Sequence, residues 1–282
     1  MSVKRYDFAF SMGFCCTCSA SLRAEGLQFA STPFDWAGFA NVLQAPKAIA
    51  SNFEDWFERD LLDLYDVRMM GGFVTRVYRN RKTGIGFVHD FSNAEPFEDE
   101  AHFAAVKARY DKRIARFMGS LRAAKSILAV YLESPRYGRT PDSGIEEAQR
   151  ILRSSLPGAE IDVLYMYEDP EAARWREISQ HDGITVVAAD YRTFLDGELM
   201  HLCRDGELRD CLRRKATMDD PRADAEKARF AAAKKAEREA LLGGGSRFNR
   251  WLNKNLMQTF RNLEAYLERQ KLIPGDRPLW FG

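Results

Sequence analysis

Three of the five cysteines in this 282-residue chain, Cys15, Cys16 and Cys18, fall within the stretch SMGFCCTCSA. Clustered thiols can bind a metal, form a redox pair or supply a nucleophile. The spacing is too tight for an ordinary zinc site, and no second Cys or His pair lies close in sequence. Neighbouring helical positions also point about 100° apart, which makes shared tetrahedral ligation awkward. Cys15 and Cys18 form a C-x-x-C pair, but the insert is Cys16-Thr17, not the Gly-Pro or Pro-His usual in thioredoxin-like motifs. The commonest fate of an unbridged cysteine is to be a small buried hydrophobe. A thiol in the first turn of a helix has a further option. Unpaired backbone N–H groups and the positive end of the dipole favour its thiolate, and the same N–H groups can hold an oxyanion.

A nucleophile needs a base, and the chain has four histidines. His201 lies near Cys203 in GELMHLCRDGE, His181 in the polar turn SQHDG, and His102 in the first turn of a long helix. His89, in GFVHDF, stands at the end of an expected strand among apolar neighbours. It can serve as a base or as a hydrogen-bonded edge histidine. Asp35, in TPFDW, is the natural orienter of an imidazole, although helix N-capping alone would explain it. Asp90 follows His89 directly, and alternation along a strand turns the two side chains to opposite faces.

These residues need elements to hold them. YDFAFSM reads as a first strand, followed after Gly13 by a helix from about Phe14 that Gly26 closes. Pro33 and Asp35 signal a second short helix, and NFEDWFERDLL a third. Phe73 to Arg79 and Ile85 to Phe91 read as a β-hairpin. An amphipathic helix runs from about Asp99 to Ala124, with Phe103, Val106, Tyr110, Ile114 and Phe117 on one face. Strands KSILAVYLES, EIDVLYMYE and GITVVAADY then alternate with helices SGIEEAQRILRSSL and PEAARWREISQ. That is the βαβ pattern of a parallel sheet, whose carboxyl edge is where ligands bind. The expected class is α/β: a mostly parallel sheet with flanking helices, a β-hairpin insertion and a helical C-terminal extension.

The domain division expected is 1–215 for the α/β thiol-site domain and 216–282 for the extension. Residues 219–240 are rich in both charge signs, as an exposed helix requires. GGGS at 243–246 is a hinge, and Phe248, Leu252, Leu256, Phe260, Leu263 and Leu267 form an apolar stripe. That stripe points to folding back on the domain, to a homo-oligomer or to a partner contact. A net charge of +1 gives no pull toward nucleic acid. No apolar run reaches the ~20 residues of a membrane span. The start lacks a signal peptide, and the cysteines do not form a disulfide framework, so the expected location is the cytoplasm.

Ser11-x-Gly13-x-x-Cys16, Pro33-Phe34-Asp35-Trp36 and His89-Asp90-Phe91 together resemble a bacterial family described as papain-like cysteine peptidases, a domain of unknown function. The resemblance covers roughly residues 4–190. It implies Cys16 as nucleophile, His89 as general base and Asp35 as the group that fixes the imidazole tautomer, in an acyl-enzyme mechanism. Ser11, Gly13 and Cys15 would form the turn and oxyanion side. Cys15 departs from the pattern, which leads one to expect Asn there. Trp36, Asp90, Arg136 and Arg139 are candidate substrate contacts, the two arginines for an anionic group.

No cofactor or metal is expected for a hydrolase acting on a small-molecule, peptide or glycan substrate. The set is also similar to coenzyme A-dependent acetyltransferases of surface-polysaccharide biosynthesis, which would require coenzyme A. A non-enzymatic interaction protein acting through its C-terminal helices is the third expectation.

Overall fold

The computed structural model describes residues 3–14, 16–70, 73–133, 140–169, 171–172, 175–189, 207–218, 220 and 222–243. They belong to two compact units, Met1–Lys227 and Ala228–Gly282. The apolar stripe at 248–267 lies outside the described residues, as do most of the GGGS hinge, His201 and Cys203.

The chain opens with β1 (Lys4–Tyr6) and β2 (Phe8–Ser11), then α1 (Cys16–Ala24), β3 (Ala37–Gly38) and α2 (Gln44–Ala50). Strands β4 (Leu62–Met70), β5 (Phe73–Asn80) and β6 (Gly86–Ser92) lead to the long α3 (Glu100–Ala123). Next come β7 (Ser126–Leu132), α4 (Asp142–Ser155), β8 (Glu160–Glu168), β9 (Arg176–His181) and β10 (Ile184–Ala189). Helix α5 (Glu207–Lys215), β11 (Ala216–Met218) and α6 (Arg222–Gly243) follow.

The architecture is the expected mixed α/β one. Strands β2, β7, β8 and β10 are parallel and adjacent in that order, and β9 closes one edge antiparallel to β10. Six of the seven β7 residues are buried, as expected for a strand covered on both faces. The hairpin belongs to a second sheet, antiparallel, in the order β3-β6-β5-β4. A small parallel pair joins β1 to β11.

Local signals explain several boundaries. Gly26 adopts φ +68°, and Leu27 N–H reaches back to the Leu22 carbonyl at 2.8 Å, which closes α1. Asp99 caps α3 by accepting from the His102 N–H at 2.9 Å. One face of α3 is buried through Phe103, Val106, Tyr110 and Phe117, while Ile114 is half-buried.

Three expected helices are absent among the described residues. Pro33–Trp36 form a turn that leads into β3, with Ala37 N–H bonded to Phe34 O at 3.2 Å. Residues 51–57 are consecutive turns with Asn52, Phe53 and Asp55 in the left-handed region, which aims Phe53, Trp56 and Phe57 into the core. In place of the helix expected for PEAARWREISQ, the described residues Arg176–His181 form β9. His181 pairs with Ile184 across Asp182-Gly183, both at positive φ, the type I′ turn that favours a tight hairpin. Strand β4, which precedes the expected hairpin, was not legible as a strand. It alternates poorly because Leu64 and Val67 are exposed on this edge.

Phe34 is the aromatic centre of the core. Its ring lies 5.2–6.1 Å from those of Phe10, Phe39, Phe53, Trp56 and Phe117, joining β2, the 33–57 segment and α3. Phe34→Ala is expected to lower unfolding free energy by about 3–5 kcal/mol. Urea denaturation checks this, as a lower midpoint at unchanged slope. A loss below about 1 kcal/mol would show that the ring cluster repacks without it.

Candidate active site

The turn after β2 is built by three residues of the S-x-G-x-x-C motif. Ser11 Oγ accepts the Gly13 N–H at 3.1 Å. A Cβ on Gly13 would stand 2.7 Å from Cys18 Cβ and 3.4 Å from the Leu132 nitrogen, so a side chain there would push α1 off the sheet. Cys18 is fully buried, and its thiol donates to the Val130 carbonyl at 3.5 Å. Cys18 is therefore a core residue facing β7. Cys16 opens α1 and is half-buried, and its carbonyl accepts from Ser19 Oγ at 3.1 Å. Its position beside the first N–H groups of a nine-residue helix is the electrostatic setting that favours thiolate. Cys15 lies outside the described residues.

His89 is in the middle of β6 and not at its end. Arg76 pairs with Phe91 and Tyr78 with Phe87, so Val77 alone faces Val88, His89 and Asp90. This is a bulge carrying two extra residues on β6. Phe87 and Phe91 both enter the core, while the imidazole between them is turned out and exposed. Its ring meets that of Trp36 edge-on, with centroids 5.4 Å apart. Trp36 is 38% exposed, so the pair forms an accessible aromatic corner.

The thiol turn and the bulge meet at Gly38. Phe39 N–H donates to the Phe14 carbonyl at 3.2 Å. The Phe14 oxygen and Val88 Cγ2 each lie 4.0 Å from where a Gly38 Cβ would stand. Phe14 precedes Cys16 by two positions, and Val88 precedes His89 by one. The start of α1 and the bulge thus border the same point of β3.

Asp35 is 1% exposed and densely bonded. Oδ2 accepts from Arg23 Nη2 at 2.5 Å and from the Thr32 N–H at 3.2 Å; Oδ1 accepts from Thr32 Oγ1 at 2.6 Å. Gln28 Nε2 donates to both oxygens, at 2.9 and 3.0 Å. His89 is not among these described donors. The carboxylate ties the last turn of α1 to the Pro33–Trp36 turn and so sets where Trp36 stands.

Asp90 is buried whereas His89 is exposed, and the bulge, not regular strand alternation, sets the two apart. The buried Asp90 carboxylate accepts from Tyr110 Oη at 2.9 Å, with Arg109 Nη2 at 3.9 Å. Burial pushes this carboxyl above the usual range, against the hydroxyl and the nearby arginines. His102 Nε2 stands 2.9 Å from the Asp90 carbonyl, which only accepts, so that nitrogen carries the proton. His181 lies in a separate groove, 3.5 Å from Glu146. Arg136 and Arg139 lie outside the described residues.

The bulge and the Asp35 donors Arg23, Gln28 and Thr32 escaped the sequence reading. The Thr32–Asp35 spacing is a local turn signal, whereas nothing in GFVHDF marks two extra residues. Among the described residues no group of three His, Cys, Asp or Glu side chains is placed to hold a metal, and no helix is long and apolar enough to cross a membrane.

Asp35→Ala would leave the Arg23 guanidinium and the Gln28 and Thr32 donors without their acceptor. An unfolding free energy lower by about 3–5 kcal/mol is expected, measured by chemical denaturation. A loss under about 1 kcal/mol would mean that the carboxylate is not the brace described here.

No curated protein and no solved structure matches the chain. A family model does, and it supports a cysteine-nucleophile enzyme of hydrolase type. Residues 7–134, the span that holds Cys16, Asp35 and His89, match the family described as "Putative papain-like cysteine peptidase (DUF1796)".

Proposed function

We propose that the chain is a thiol hydrolase in which Cys16 is the nucleophile and His89 the general base. The observation that supports this reading is that the Phe14 oxygen and Val88 Cγ2 each lie 4.0 Å from where a Gly38 Cβ would stand, so that β3 borders both the segment leading to α1 and the histidine bulge. The family match over residues 7–134 supports the same chemistry.

In this mechanism the Cys16 thiolate attacks the substrate carbonyl carbon, and the carbonyl electrons move to oxygen. The backbone N–H groups at the start of α1 stabilise that oxyanion. The Gly13 N–H is already engaged by Ser11 Oγ, so the donors come from the helix itself. Collapse of the intermediate breaks the bond to the leaving group, which takes its proton from the His89 imidazolium. His89 then removes a proton from water, the hydroxide attacks the thioester, and Cys16 leaves as thiolate. Asp35 contributes by holding the Trp36 turn. Trp36, edge-on to the imidazole, limits its rotation and forms an apolar wall for substrate.

The test is iodoacetamide labelling of the full chain at pH 6, read peptide by peptide. Burial pushes the Cys211 thiol up to about 12, so it should stay unlabelled. Cys16 should react at least about tenfold faster than the cysteine of a short unstructured peptide under the same conditions, as a thiol lowered by one unit or more would. A Cys16 rate no higher than that of the peptide would end the nucleophile assignment.

A further inference from the structure

The bulge that turns His89 outward is gripped from behind by α3, at the residue next to the histidine. Three side chains on one face of α3 converge on Asp90. The Tyr110 hydroxyl donates to its carboxylate at 2.9 Å, the His102 ring donates to its main-chain carbonyl at 2.9 Å, and Arg109 stands 3.9 Å away. Arg113 lies over the Tyr110 ring at 5.5 Å. Tyr110 is itself immobilised, fully buried and stacked on Phe57 at 4.8 Å. A carboxylate in this interior is costly unless it has a task or a full set of partners. Two extra residues in a strand leave backbone that the ladder does not hold, and such backbone needs an anchor.

We propose that Asp90 is a positioning residue for His89: the grip of Tyr110 and His102 on Asp90 fixes the β6 bulge and so the direction in which the imidazole leaves the sheet. This rests on the thiol–imidazole reading. The Asp90 carboxylate is buried and bonded to Tyr110, so the part proposed for it is to position and not to react. It works through the backbone of its neighbour, as outer-shell partners do for groups that must hold one orientation. His102, which the sequence places in a helix turn with no role, becomes the second half of the clamp.

The experiment reads the apparent pKa of the Cys16 thiol from the pH dependence of its alkylation in the full chain. An imidazolium held close to the sulfur lowers that pKa, and a loosely held one does so less. His89→Ala should raise it by about one unit, a tenfold slower reaction at pH 6. Tyr110→Phe, which deletes only the donor, should give at least about half of that shift, a threefold slowing. Asp90→Leu should match it, and Asp90→Asn, which keeps an acceptor for the tyrosine, should restore most of the native profile.

A merely structural role would lower the melting temperature without moving this profile. If Tyr110→Phe fails to fold, His102→Gln, at a half-buried ring, should shift the profile in the same direction. A folded Tyr110→Phe or His102→Gln variant with a native profile, beside a shifted His89→Ala, overturns the positioning role and leaves the thiol reading standing. An unshifted His89→Ala overturns both.

Discussion

Burying a carboxylate costs several kcal/mol unless donors replace the lost water. Asp35 is almost wholly buried, and Arg23, Gln28 and Thr32 surround it. These donors come from the end of α1 and from the loop after it, so the charge is tolerable only when that loop folds back onto the helix. Arg23 also holds the Ser31 hydroxyl at 3.0 Å, and Arg116 of α3 holds the Ser31 carbonyl at 2.6 Å. The turn that follows then has one place to go. It inserts Phe34 into the core, leaves Trp36 at the surface and delivers β3 to β6. The location of the candidate site follows from where this one charge can be satisfied.

The site is a seam between two kinds of sheet. Cys16 comes from the carboxyl end of a parallel strand, His89 from an antiparallel one, and β3 lies between them as a spacer of two residues. Parallel sheets present ligand sites at that edge because their strand ends and helix starts converge there. The neighbouring strand end is also secured. Glu133, buried just after β7, accepts from the Tyr165 hydroxyl at 2.9 Å and from Thr140 Oγ1. The Thr140 N–H in turn donates to Tyr165 Oη at 2.8 Å. Glu133 and Thr140 are therefore linked to each other and to β8.

Much of the scaffold was legible because its signals are local. Periodic apolar residues marked α3, the continuous run SILAVYL marked a buried strand, and Gly26 marked the end of α1. The failures share a cause. WREISQH has helix-tolerant residues and only a weak alternation, and its strand state comes from pairing with β10. The Asp-Gly turn beside it was the readable clue. The 51–57 segment lost its helix to the pull of three aromatic rings toward one core. At the site, the motif residues were readable one by one, but their relations were not. Asp35 bonds to residues that no motif contains, and the bulge at Val88–Asp90 bonds to Tyr110 and His102, which lie on another element.

The pairing of β1 with β11 bears on how the chain is made. Lys4, Arg5 and Tyr6 find their partners in Ala216, Thr217 and Met218. During synthesis the first strand emerges early and its partner last, after every other strand of the unit. Long-range pairings of this kind slow folding, because loop closure must precede the contacts that reward it. The cysteine turn does not depend on that closure. It follows β2, which pairs with β7, and the Cys18 thiol reaches the Val130 carbonyl of the same strand. Two adjoining strands at the start of the fold are thus held by partners at very different distances along the chain.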